Sequence, residues 1–340
     1  MKAKLRKTYN IIIKLLIFII TAYFLYDQIF YKRDIETLLS NYQIWNEQKY
    51  FYPLLFTVIA LIFVNLGIEA AKWKLLMTKL ENISFLNAYK AVLTGIATSM
   101  FLPNRTGDYL GRVFVLKKAN RIQATLSTIL GSLAQFITTI IFGLIAVMIL
   151  FPQTYPLTFP LHLWLYVGIV LIALTVIVLL IFIYVEFSAF TVIIKSITGK
   201  EYQKIKKYAE VFSWYSSRDL FKILGMSILR YLVFSFQFFL LLITFGIEIN
   251  YFHAMVLIGM VYLIMTIIPT IALSELGVRG SVSLYVFKPW LINNGAWTAQ
   301  SSLGILSATT SLWLFNIALP AVLGVFFIFG LNFFRKGKNP

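Results

Sequence analysis

The sequence predicts an all-α, polytopic integral membrane protein, and three observations carry that reading. Of its 340 residues, 60% are hydrophobic and only 13% are charged. A soluble chain of this size could not cover that much apolar surface, so lipid has to be the solvent. Apolar runs of about 20 residues, enough at ~1.5 Å each to cross a core of ~30 Å, recur along the chain. The net charge of +17 would by itself suggest nucleic acid, but the basic residues alternate with the apolar runs and form no single basic face. The expected architecture is about six full transmembrane helices plus two re-entrant helical hairpins, in one membrane domain covering 1–340.

Residues 11–30 are the first span. Lys2, Lys4, Arg6 and Lys7 precede it and Lys14 can snorkel back, which puts the N-terminus in the cytoplasm. No small-residue cleavage site follows, so the segment reads as a retained anchor. A mixed-charge loop, 31–50, leads to a return span at 52–71 that ends at Lys72, Lys74 and Lys79. Residues 88–102 reach only about 22 Å as a helix, short of the core. They are read as the first arm of a re-entrant hairpin, 88–118, whose second arm, 107–118, ends at Lys117 and Lys118.

Residues 122–150 then run outward to a loop, 151–161, that holds three prolines and no Lys or Arg. Residues 162–185 return, and a basic, amphipathic connector, 187–222, follows on the cytoplasmic side, where anionic lipid is its expected partner. Residues 223–245 go out again. The second hairpin, 251–287, starts and ends outside. The last span, 297–331, returns to Arg335, Lys336 and Lys338, and it is long enough for Pro320 to kink it. Trp45, Trp73, Trp164, Trp290 and Trp297 are expected as anchors at the two interfaces.

Charge sets the parity. Of 30 Lys and Arg, four (Lys32, Arg33, Lys49, Lys288) fall outside and four (Arg105, Arg112, Arg230, Arg279) at membrane depth, leaving the rest on the cytoplasmic side with both termini. The same plan, span–span–hairpin–span, then occurs in units 1–150 and 151–340, the first starting inside and the second outside. That is the pattern of an inverted-topology repeat.

Each hairpin breaks at a proline and carries charges after it. Pro103 is followed by Arg105, Asp108 and Arg112, and Pro269 by Glu275 and Arg279. In both, acid and arginine are four positions apart, so on a helix they share a face and can pair. A charge at a helix centre costs about 2.5–3.5 kcal/mol, so these groups must be paired, capped or wetted. Two readings follow. The charges either form internal ion pairs that fix each hairpin, or they line a hydrated cavity in which Arg105, Arg112 and Arg279, helped by Arg230, bind an anionic substrate. In the second reading Asp108 and Glu275 orient the arginines or exchange protons. Pro103, Asn104, Gly107, Gly111, Pro269 and Gly277 are the expected break positions, because irregular backbone at that depth has to line protein or water. Glu69 is expected to pair with Lys72, and Asn316 and Gln135 to join helices. There is no cysteine, and His162 and His253 lie in separate loops. Together with the lack of a Ser–His–acid set or a phosphate loop, this leaves no catalytic or metal constellation, and neither metal nor cofactor is expected.

The run from Leu102 to Arg112 resembles the signature of the lysylphosphatidylglycerol synthase transmembrane region, the flippase-like domain family. Pro103, Arg105, Gly107, Asp108 and Arg112 match its first motif, with Asp108 for Glu and Asn104 for Gly. Gly277, Val278 and Arg279 match its second, with Glu275 at a glycine position and Gly280 where the acid usually stands. The resemblance implies a multi-pass protein of the cell inner membrane that binds or translocates a phospholipid-like molecule. It also implies that a chain without the soluble aminoacyl-transferase domain is no lipid aminoacyl-transferase. A flippase-like transporter of an anionic phospholipid or lipid-linked headgroup is therefore the expected function. A secondary transporter of a small anion and an integral-membrane transferase acting on a lipid phosphate are the alternatives. Membrane lipids are the expected partners; a homo-oligomer or a partner enzyme is compatible with the chain.

Overall fold

The computed structural model describes residues 50–100, 106–155, 157–186, 195–196, 206, 208, 210–269 and 272–328. Among these residues every regular element is helical and none is a strand. Five helices are long and apolar enough to cross a membrane: α1 (Phe51–Met77), α4 (Arg121–Thr154), α5 (Pro160–Val185), α6 (Ser217–Thr244) and α9 (Ala299–Ile328). They answer to five of the six expected spans. The sixth, 11–30, lies outside the described residues. Four shorter or more polar helices make up the two hairpins: α2 (Phe85–Ser99) with α3 (Gly107–Val113), and α7 (Tyr251–Ile267) with α8 (Ala272–Asn293).

Local sequence signals set most helix starts. Asn120 accepts from the backbone N–H of Ile122 and Gln123 at α4, and Asn250 from that of His253 at α7. At α6 the side chains of Ser216 and Asp219 form a capping box. That box starts the helix at Ser217, inside the segment 187–222 read as a connector. The expected connector is therefore shorter at its C-terminal end, and residues 187–194 lie outside the described residues.

The second arm of the first hairpin is also shorter than expected. The helix α3 stops at Val113, and the carboxylate of Glu81 accepts the backbone N–H groups of Lys117, Lys118 and Ala119 at 3.2, 2.7 and 2.8 Å. A carboxylate holding three amides replaces the bonds that a continuing helix would have made. In the second hairpin α7 is too short to span, whereas α8 runs through Pro289 to Asn293. Gly277 is helical in α8 and Gly111 in α3, so neither stands at a break, whereas Pro269 does. In α9, residues Leu314–Ala318 form a π turn just before Pro320. The ring of Pro320 would clash with the carbonyl of Asn316 in a regular helix, and the wider turn relieves it.

Packing brings α1 against α6, α2 against α9 and α4 against α7. The arms of the first hairpin touch through glycine. A Cβ on Gly107 would stand 2.2 Å from the carbonyl oxygen of Thr98, and one on Gly324 of α9 would stand 2.0 Å from that of Leu93 in α2. Replacing Gly324 by Ala is expected to cost about 1–3 kcal/mol, because backbone cannot yield as a side chain can. Gly277 has open space around it, so Gly277→Ala in α8 is expected to be neutral or slightly stabilising. Melting curves in detergent separate the two.

Trp73, expected at an interface, is instead fully buried and donates to the hydroxyl of Thr128 at 3.0 Å. Trp164 is 73% exposed, as an anchor should be. Below the spans, Tyr215 bonds the carbonyl of Leu76 and the hydroxyl of Ser127, both at 2.8 Å, tying α1, α4 and the entry to α6 together. Burial pushes its hydroxyl up to about 12, so it keeps its proton at neutral pH and serves as a donor. Tyr215→Phe is expected to lower stability by about 1 kcal/mol, measured by denaturant titration.

Candidate functional site

Two groups of buried charge lie along the bundle interior. The first is centred on Glu69 of α1. Its Oε1 accepts from Nη1 of Arg112 at 2.6 Å, and its Oε2 lies 2.8 Å from Nζ of Lys72 and 3.3 Å from Nη1 of Arg230. The expected Glu69–Lys72 pair is present, but as one part of a larger cluster. Arg112 also grips Asp108 with two bonds, Nε to Oδ1 at 2.8 Å and Nη2 to Oδ2 at 2.5 Å. One guanidinium thus joins α3 to itself and to α1. Bidentate contacts of this kind are the strong ones, and they answer the cost of placing charge at this depth.

Arg230 of α6 is held by neutral amides as well as by Glu69. Its Nε donates to Oδ1 of Asn65 at 2.9 Å and its Nη1 to Oε1 of Gln135 at 3.4 Å, while Nδ2 of Asn65 donates to Oδ1 of Asn316 at 3.1 Å. The amides expected to join helices do so, by cradling this arginine. The π turn of α9 sets the backbone that carries Asn316.

The second group belongs to α8. Nη2 of Arg279 donates to Oε1 of Glu275 at 2.6 Å, the pairing expected from their spacing. Among the described residues, the other two guanidinium nitrogens of Arg279, Nε and Nη1, are buried without a hydrogen-bond partner, and so is the hydroxyl of Tyr262. Orphaned buried donors are rare and call for a water or a ligand that completes them.

A cavity of about 710 Å³ connects the two groups. Arg230, Asn65, Gln135 and Asn316 line one part, and Arg279, Glu275, Tyr262, Ile268 and Pro269 another. Ile96 of α2 and Tyr109 of α3 also reach it, so both hairpins face one space. Nearby, Met100 at the end of α2 and Leu276 of α8 share a buried cluster with Trp313 and Ile317. Aromatic rings cover one wall: Phe234 stacks on Tyr262 with centroids 5.5 Å apart, and Tyr231 meets Tyr262 edge-on at 5.8 Å. At the rim stand two exposed apolar side chains, Phe136 at 47% and Ile267 at 73%.

Of the arginines expected to bind substrate, Arg230 and Arg279 line this cavity, as does Glu275. Arg112 does not, and lies behind Arg230 on the far side of Glu69. Arg105, Pro103 and Asn104 lie outside the described residues. Glu69 is the residue that sequence reasoning undervalued. Its signal was an acid alone in a long apolar span, one helical turn from a lysine.

The family model of the lysylphosphatidylglycerol synthase TM region matches residues 11–301. The chain belongs to this family. Comparison with curated proteins and with solved structures gives no match. This member of the lysylphosphatidylglycerol synthase TM family is thus a multi-pass helical membrane protein with a lipid-related role.

Proposed function

We propose that the protein is a flippase-like transporter that moves an anionic phospholipid or lipid-linked headgroup between leaflets. One observation carries the reading: a cavity of about 710 Å³, bounded by both hairpins, has arginines on two of its walls and exposed apolar side chains at its rim. The arginines suit a phosphate, to which guanidinium donors bind in forked pairs. The apolar rim at Phe136 and Ile267 suits acyl chains that stay in the bilayer, and it favours lipid over a small soluble anion.

The packing supports a two-unit internal repeat, whose inverted sense rests on the charge parity of the sequence. Exchanging α1 with α6, α2 with α7, α3 with α8 and α4 with α9 turns the contact α2–α9 into α4–α7, α1–α4 into α6–α9, and α3–α4 into α8–α9, all of which occur. Two such halves give a cavity two equivalent walls, the arrangement used for alternating access. Anionic lipids are the proposed partners, the cell inner membrane the proposed location with both termini cytoplasmic, and movement without headgroup chemistry the proposed activity.

The test is translocation of a fluorescent phosphatidylglycerol in liposomes carrying the full chain. Faster exchange between leaflets than in protein-free liposomes, with the headgroup intact, is the expected result. Exchange at the protein-free rate by folded protein, or a modified headgroup, contradicts it.

A further inference from the structure

We infer that Glu69 is a built-in counter-anion that competes with the cargo for Arg230, so that only an anionic group can take Arg230 over. The inference rests on reading the cavity as an anion site. Three cations surround the Glu69 carboxylate, and they are not held equally. Arg112 lies 2.6 Å and Lys72 2.8 Å away, with side chains only 7% and 2% exposed. Arg230 lies 3.3 Å away and is 30% exposed. It is also the one of the three that lines the cavity.

The cluster has a surplus of positive charge, because among the described residues Arg112, Lys72 and Arg230 face only Glu69 and Asp108. Arg230 can therefore leave without stranding a buried carboxylate, since Glu69 keeps two close cations. Moving Arg112 instead would strand both Glu69 and Asp108, which is strongly destabilising. The remaining partners of Arg230, Asn65 and Gln135, are neutral amides that line the same cavity, so its departure strands no charge on them.

An anionic headgroup offers Arg230 the same charge that Glu69 does, so exchange is nearly balanced. A neutral lipid with no phosphate, such as diacylglycerol, offers nothing in return for the lost ion pair. Glu69 thereby acts as a specificity-determining residue, setting against neutral lipids a threshold that anionic lipids cross.

The experiment measures equilibrium binding of fluorescent phosphatidylglycerol and of the matching diacylglycerol to the full chain in detergent micelles. If Glu69 competes, Glu69→Gln should tighten phosphatidylglycerol binding by roughly fivefold or more. The same change should do nothing in an Arg230→Gln background. Should Glu69→Gln fail to fold, Glu69→Asp keeps the charge on Lys72 and Arg112 while its shorter reach drops the longest contact first, and it should tighten binding in the same sense. Unchanged or weaker phosphatidylglycerol binding in the folded variant overturns the inference and leaves the cavity reading standing. No preference for phosphatidylglycerol over diacylglycerol by the native chain overturns both.

Discussion

Replacing Arg112 by Leu is expected to lower the stability of the fold by about 3–5 kcal/mol. Its guanidinium makes two bonds to Asp108 and one to Glu69, with the side chain 7% exposed. Taking away one partner of a buried charge group typically costs about 3–5 kcal/mol, since the carboxylates stay buried without their countercharge. Against a total stability on the order of 5–15 kcal/mol, that is a large share. Arg112→Lys is expected to fall between, because one ammonium cannot hold both carboxylates as a planar fork does. Thermal melts in detergent, with Lys118→Leu on the exposed surface as control, decide the matter. A melting point for Arg112→Leu equal to that of the control would mean the cluster contributes nothing to the fold.

The second large effect is on substrate. Arg279→Gln is expected to weaken anionic-lipid binding by roughly 30-fold or more, the loss usual when a buried charged donor is truncated at an interface. The single change also leaves Glu275 without its guanidinium and lowers stability, so the double variant Arg279→Gln/Glu275→Gln is the informative one. It removes acid and base together, keeps the shape of Glu275 while shortening Arg279, and should recover much of the stability but none of the binding. Binding restored in the double variant would show that Arg279 only neutralises Glu275. That outcome returns the second hairpin to the plain reading of an internal ion pair.

Local spacing made part of this site legible from sequence. Asp108–Arg112 and Glu275–Arg279 pair as their four-residue separation requires, and five apolar runs became the five helices able to span. The hub was not legible. Glu69, Arg112 and Arg230 meet only because α1 packs on α6 and on the first hairpin, and one sequence holds no record of that. The Asn65–Asn316 bond joins residues 251 positions apart for the same reason. Trp73 was misread because an aromatic near a span end looks like an interface anchor whether it faces headgroups or, as here, the hydroxyl of Thr128. The early start of α6 could have been read, since Ser216 and Asp219 already spell a capping box ahead of an apolar run. Residue composition around Lys117 could not have shown that Glu81 would end α3 early, because that contact crosses between segments.

The most direct measurement is a structure of the full chain in nanodiscs that contain phosphatidylglycerol. Density for a phosphate within about 2.7–3.2 Å of the Arg279 guanidinium, with acyl chains leaving past Phe136 and Ile267, is the expected result. A cavity holding only water, while phosphatidylglycerol is ordered elsewhere on the same protein, would contradict it.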